Sequence, residues 1–211
     1  LPLGFSLNVN GFYRQLDQTQ FGVGQPFFSG SILSTAQTVS TTQSWGGTVQ
    51  LAQNTPLFGH HNNLVFGADA QRNDFGSRLA STSGFGPFNN RTDTNENILG
   101  LYAQDTLSLL PQLLLTAGVR YDQDMIESNF EDTFTPPGVG KKTFYRTNPR
   151  AGLTYLIHPD ASVYFNYSQG FRVPTYLELF PVVGQSNQFL KPITSDNFEF
   201  GGKARLWNWG E

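Results

Sequence analysis

The sequence predicts an all-β protein, an antiparallel sheet that crosses a membrane as the wall of a β-barrel. Three observations carry this. Strict two-residue alternation of apolar and polar residues recurs in about eight stretches. Each stretch runs about 10–13 residues, where strands of soluble proteins average about 5–6. At about 3.3 Å per residue and a tilt of about 45°, ten residues span roughly 23 Å, close to the ~25 Å apolar band of a transmembrane barrel. The connections then alternate in length. Residues 55–61, 109–112 and 158–161 are short, while 15–42, 75–95, 125–145 and 172–193 are long. Short periplasmic turns and long extracellular loops give this rhythm, so odd-numbered strands run outward and even-numbered strands return.

Taken in order, the first stretch sets Leu3, Phe5, Leu7, Val9 and Tyr13 against Gly4, Ser6, Asn8 and Asn10. The second sets Trp45, Val49 and Leu51 against Ser44, Thr48 and Gln50; the third, Leu64, Phe66, Ala68 and Ala70 against Gly67, Asp69 and Gln71. The fourth, 98–108, is less regular, with Leu99, Leu101 and Ala103 opposite Gly100, Tyr102 and Gln104. The fifth is the clearest: Leu113, Leu115, Ala117, Val119 and Tyr121 against Thr116, Gly118, Arg120 and Asp122. The sixth pairs Ala151, Leu153, Tyr155 and Ile157 with Arg150, Gly152 and Thr154; the seventh, Val163, Phe165 and Tyr167 with Ser162, Tyr164, Asn166 and Ser168. The eighth sets Phe198, Phe200, Ala204 and Leu206 against Asn197, Glu199, Lys203 and Arg205.

Composition agrees. Of 211 residues, 38% are hydrophobic, yet there are 19 Phe, 8 Tyr, 3 Trp and 22 Gly. Charged residues make up 14%, against about 25% in soluble proteins. No window holds the roughly 18 apolar residues of a spanning helix. The net charge of −3 gives no basic surface for nucleic acid, and the absence of cysteine removes disulfides and thiolate chemistry. No leader is visible, Leu1 falls inside a strand pattern, and "WNWGE" ends in one. The expectation is an arc of a wider barrel. Two alternatives stay open: a small self-closed eight-stranded outer-membrane adhesin or anchor, and a soluble β-sandwich binding protein.

The segments "NPRAGLTYLIHPDASVYFNYSQGFRVPTYLELFP" and "LKPITSDNFEFGGKARLWN" resemble the barrel domain of TonB-dependent outer-membrane receptors. "LGLYAQDTLSL" and "LLLTAGVRYD" match the barrel pattern earlier in the chain, and "TQSWGGTVQLAQNTPLFGHHNNLVFGADAQRNDF" is similar to the siderophore-receptor branch. The resemblance implies a barrel of about 22 strands closed around a plug domain. On that basis residues 1–211 are part of the barrel, without the plug or the TonB-engaging segment. It further implies a bacterial outer-membrane receptor, not an enzyme, that takes up a ferric siderophore or similar iron chelate. Energy would come from the TonB–ExbB–ExbD system through the missing plug. The other expected partners are outer-membrane lipid and lipopolysaccharide. No cofactor is expected, because the iron travels inside its chelator.

Residue roles follow from strand parity. Asn166, Ser168, Arg120, Arg150, Glu199, Lys203 and Arg205 are expected on the wet, lumen-facing side, the last three as a charge ladder. Trp45, Tyr121, Tyr167 and Phe171 near outer strand ends, and Trp207 and Trp209 near the inner end of the eighth, are expected as interface girdles. Phe165, Phe198 and Phe200 are expected against lipid. Arg172 and Tyr176 are candidate ligand-loop residues, since a guanidinium fork suits the carboxylate and catecholate oxygens of an anionic chelate. Arg172 has a second reading, as the anchor of the loop base through loop carbonyls. His60 and His61 read as a solvated turn, with no third ligand at metal spacing. Asp122, Asp124, Glu127, Glu131 and Asp132 read as an acidic outer region.

Overall fold

The computed structural model describes residues 4–24, 34–57, 59–83, 86–133, 137–179 and 189–205. They form one antiparallel sheet of eight strands in the order β1-β2-β3-β4-β5-β6-β7-β8. The strands are β1 (Phe5–Gly24), β2 (Ser34–Gln53), β3 (Asn62–Ser83), β4 (Gly86–Leu110), β5 (Leu113–Asp132), β6 (Gly138–His158), β7 (Ala161–Arg172) and β8 (Ile193–Ala204). A single helical turn, α1 (Tyr176–Leu179), interrupts the connection between the last two. Each strand pairs with its sequence neighbours, and among the described residues β1 and β8 are the two edges. One open sheet replaces both alternatives. A sandwich needs a second sheet, and a self-closed barrel needs β1 beside β8.

The eight stretches and their faces agree with the alternation, but the strand lengths do not. β1 to β6 run 20–25 residues, about twice the expectation, and only β7 and β8 have 12. Most of the described residues of the expected long loops at 75–95 and 125–145 are paired strand. Phe75↔Thr94 leads without a break to Ser83↔Gly86, and Met125↔Thr143 to Phe130↔Gly138. The 15–42 region is similar, paired from Gln15↔Gln43 to Gly24↔Ser34. These segments carry Thr, Ser and Asn on both faces, so they lack an apolar stripe. Backbone pairing needs none where both faces meet water.

The short turns all lie at one end, as expected. Two of them share a design. "LPQL" and "HPDA" close on Leu110↔Leu113 and His158↔Ala161, each with a register shift just before it, at Ser108/Leu110 and Leu156/His158. The tight turns that suit a hairpin need φ > 0 at the first central residue, which Pro forbids. The bulge takes up the resulting mismatch in twist.

The burial pattern inverts that of a soluble domain. Among the described residues only Ile126, Phe144 and Leu179 are buried apolar side chains, whereas Leu7, Val9, Phe66, Leu101, Tyr155 and Phe200 stand exposed. In most strands the exposed apolar series has one parity and the polar series the other; Phe12 and Leu16 in β1 and Ile193 in β8 are exceptions. A single groove of about 940 Å³ draws its lining from β2 through to β7, so the sheet curls with the polar face inward.

Candidate functional site: the polar concave wall and its strap

The concave face is built around Arg120. Its Nη1 and Nη2 donate to the two Asp69 oxygens at 2.7 and 2.9 Å, spanning β4 to reach β3. Its Nε donates to Asp122 at 2.7 Å, and Asn148 Nδ2 donates to the other Asp122 oxygen at 3.1 Å. Arg120 also lies 5.9 Å from the Tyr102 ring centre. The guanidinium fork makes such a three-strand clamp possible, because its donors are coplanar and rigid.

Glycine makes room for it. In register, Asp69, Gly100 and Asp122 sit side by side. A Cβ on Gly100 would collide with the Arg120 guanidinium and press on Asp69. The arrangement repeats: Tyr102 lies over Gly67, Arg150 over Gly118, Asn166 over Gly152 and Tyr164 over Gly201. Each concave glycine lets a long side chain of the neighbouring strand lie flat against the wall. In the sequence Gly67, Gly100, Gly118 and Gly152 read only as part of the polar half of an alternation; their use depends on cross-strand register.

Four buried polar atoms on this face have no hydrogen-bond partner among the described residues: Ser44 Oγ, Asp124 Oδ1, Arg146 Nε and Asn148 Oδ1. Buried polar groups in folded proteins are nearly always paired, so this face is built to meet further polar surface or water.

Arg120, Arg150, Asn166 and Ser168 share this face with Asp69 and Tyr102. Glu199, paired in register with Asn166, accepts from Tyr164 at 2.8 Å. The expected charge ladder does not form. β8 ends at Ala204, and Arg205 turns away to Asp160 in the short turn, giving that carbonyl its backbone N–H and lying 3.6 Å from its carboxylate. On the convex face, Phe165, Phe198 and Phe200 are exposed, and the Phe165 and Tyr167 rings lie 6.5 and 5.2 Å from Phe198. Tyr167 donates to Asp196 at 2.9 Å, and Phe171 is half-buried at the top of β7. Trp45, with Arg72 at 5.5 Å from its ring, and Tyr121 stand mid-strand, because their strands continue past the expected ends. Trp207 and Trp209 lie outside the described residues.

The acidic outer region divides by parity. Asp122 and Asp124 are buried on the concave face; Glu127 pairs with Lys141 at 3.3 Å on the other face, which Glu131 shares. His60 Nδ1 meets the Ser108 carbonyl at 2.9 Å, which ties the turn down.

Beyond Arg172 the chain folds inward. Pro174 precedes Thr175, which caps α1: Thr175 N–H donates to Glu178 Oε2 at 2.7 Å, and Glu178 N–H donates to Thr175 Oγ1 at 3.4 Å. This reciprocal pair is the capping box that "TYLE" spells. Arg172 closes it, giving two N–H to the Glu178 carboxylate, both at 3.0 Å. Arg172 therefore anchors the loop base as its second reading expected, through a carboxylate in place of carbonyls. That contact, with the Thr175 N–H next, holds the Glu178 carboxyl down at about 2. Leu179, fully buried, sits on Ile126 and Phe144, with Val173 and Tyr176 around it and the Tyr176 ring 5.1 Å from Phe75. Residues 173–179 thus form a strap across the upper concave face. β7 leaves β6 after Arg150↔Ser168, beside Pro149, which has no amide hydrogen to offer.

A family model described as TonB dependent receptor-like, beta-barrel, matches residues 1–211. The chain belongs to the TonB-dependent receptor β-barrel family. Barrels of this family are outer-membrane proteins of Gram-negative bacteria and serve as transport receptors, not enzymes. Solved structures of the same fold include the ferric yersiniabactin uptake receptor FyuA from Yersinia pestis, with 18% identity and a TM-score of 0.75. The unliganded ferric citrate transporter FecA gives 14% and 0.76, and the ferric-catecholate import receptor Fiu from E. coli K12 gives 15% and 0.71. The matches cover 95–96% of this chain and 30–36% of those proteins. The chain therefore spans about a third of the length of the receptors it resembles, as an arc of their barrel.

Proposed function

We propose that this chain is the wall of an active transporter that carries a ferric siderophore, or a similar iron chelate, across the outer membrane. The observation that carries this reading is the two-sided sheet. One face exposes Leu, Val and aromatic side chains; the other holds a charged clamp and leaves Ser44, Asp124, Arg146 and Asn148 with unmet hydrogen-bonding atoms. Lipid suits the first face, and a wet lumen holding a polar plug suits the second. The long hairpins are then extracellular, where a chelate too large for diffusion through a porin is captured. The iron stays within its chelator, and TonB–ExbB–ExbD supplies the energy through the plug. Outer-membrane lipid and lipopolysaccharide surround the convex face.

Arg172 is engaged by Glu178, so it contacts an anionic chelate only if that pair opens. Its primary role is to hold the strap, with Tyr176 packed beneath.

The test is uptake of radiolabelled iron in cells lacking the receptor and in complemented cells, across hydroxamate, catecholate and carboxylate chelates. At least one chelate should be taken up only by complemented cells, and that uptake should stop when the proton-motive force is dissipated. Uptake that survives dissipation would remove energised transport, and indifference to every chelate would remove iron as the cargo.

A further inference from the structure

A cavity of about 290 Å³ lies between the strap and the wall, separate from the main groove. Asn73, Phe75, Glu96 and Ile126 line it from the sheet, with Arg172 at the end of β7, and Tyr176 lines it from the strap. The guanidinium at its rim is committed to Glu178, so no cation faces an incoming anion there. The wall supplies the opposite charge. Glu96 accepts from Asn73 at 2.6 Å through one oxygen only. Asp124, two residues from Ile126 on the same face, is 6% exposed with Oδ1 unpartnered. The Lys142 ammonium, on β6, lies 5.9 Å from the Phe144 ring.

We propose that this cavity binds the alkylammonium end of a small organic ligand. Three features select that chemistry. Glu96 offers a carboxylate oxygen for an N⁺–H donor. The Phe75–Tyr176 ring pair offers aromatic faces to the methylene stem and the cation. The wall already holds one ammonium in this way, Lys142 over Phe144. A metal ion is a poorer fit, since no three Asp, Glu or His side chains among the described residues converge at ligand distance. The volume restricts the occupant to a small group, below the range of about 300–1,000 Å³ that suits drug-sized ligands. The site stands whatever chelate the receptor carries.

The experiment is ligand-observed NMR on the receptor that carries this chain, in detergent micelles, with n-butylammonium, n-butanol and butyrate as probes. n-Butylammonium should bind saturably, about tenfold or more tighter than n-butanol, with butyrate not binding. Glu96→Gln should weaken n-butylammonium about tenfold or more, and Glu127→Gln, on the other face, should leave it unchanged. Equal binding of ammonium and alcohol, preference for butyrate, or indifference to Glu96→Gln would overturn the proposal. If Glu96→Gln receptor fails to assemble, the probe series on the native protein still decides the charge, and Phe75→Leu, which should weaken binding, decides the place. N-acetyl-lysine methylamide separates sources: tighter binding than n-butylammonium would replace the small ligand by a polypeptide side chain.

Discussion

The hairpins β3–β4 and β5–β6 and the pair β7–β8 start from the same kind of strand and end differently. The hairpins continue as paired sheet well past the apolar band. β7 stops at Arg172, and its chain bends inward at Pro174 to seat Leu179 on the wall. Leaving the membrane therefore does not end a strand. What ends β7 is a local sequence: a proline, a capping box and an apolar residue with a place to bury. The hairpins also carry prolines near their turns, Pro87 and Pro137, but among their described residues no capped helical turn follows, so pairing continues until the chain must turn.

The strongest way to break this contrast is to remove the seat. Leu179→Ala should cost roughly 2–5 kcal/mol of strap attachment, the range for emptying a buried leucine site. Amide exchange at 173–179 should accelerate while β5 and β6 keep their protection. Unchanged exchange would mean that the apolar seat does not hold the strap. A comparable effect separates the regions by depth. Phe165→Arg, on the convex face of β7, should cost roughly 2–4 kcal/mol near the bilayer midplane. Val139→Arg, on the upper half of β6 and 70% exposed, should stay within about 0.5 kcal/mol. Urea unfolding of the receptor in bilayers measures both, and equal penalties would put the upper hairpins in hydrocarbon.

Smaller changes sharpen the picture. Thr175→Ala should cost about 1 kcal/mol through loss of the cap. The readout is a 19F resonance from fluorotyrosine at position 176, which should shift towards its released-strap value. The same resonance should respond to acid. Glu178 has its carboxyl pKa lowered from 4.5 to about 2 by Arg172 and the Thr175 amide. Its contribution is then complete above about pH 4.5 and fades as the pH falls through about 2. In Arg172→Gln receptor this dependence should flatten and move towards 4.5. An identical titration in both proteins would detach Glu178 from the strap's stability.

How much of this was legible depends on where the information sits. The faces of β5, for example, follow from Leu113 to Tyr121 alone, because period-two alternation is local. The upper hairpins were hidden because Thr92, Thr94 and Ser128 look like loop residues; their strand character comes from a partner strand, not from their own pattern. The Arg120–Asp69 clamp joins residues 51 apart across an intervening strand, so it needs the register as well as the sequence. The capping box differs, since T-x-x-E after a proline is written in "PTYLE". The Arg172–Glu178 anchor was readable from there, had the stretch been taken as a helix start and not as a loop.

The concave glycines have one further consequence. Where Tyr102, Arg120, Arg150 and Asn166 lie down across their neighbours, the wall presents the flanks of side chains and few projecting ends. Apart from the unpartnered atoms of Ser44, Asp124, Arg146 and Asn148, the donors and acceptors of these side chains are turned along the surface, towards each other. A body drawn along such a wall meets low relief and few grips, so it can travel without prying open the bonds that hold the strands in register. Strength within the wall and ease of passage beside it then come from the same residues, and adding one methyl group at Gly100 would compromise both.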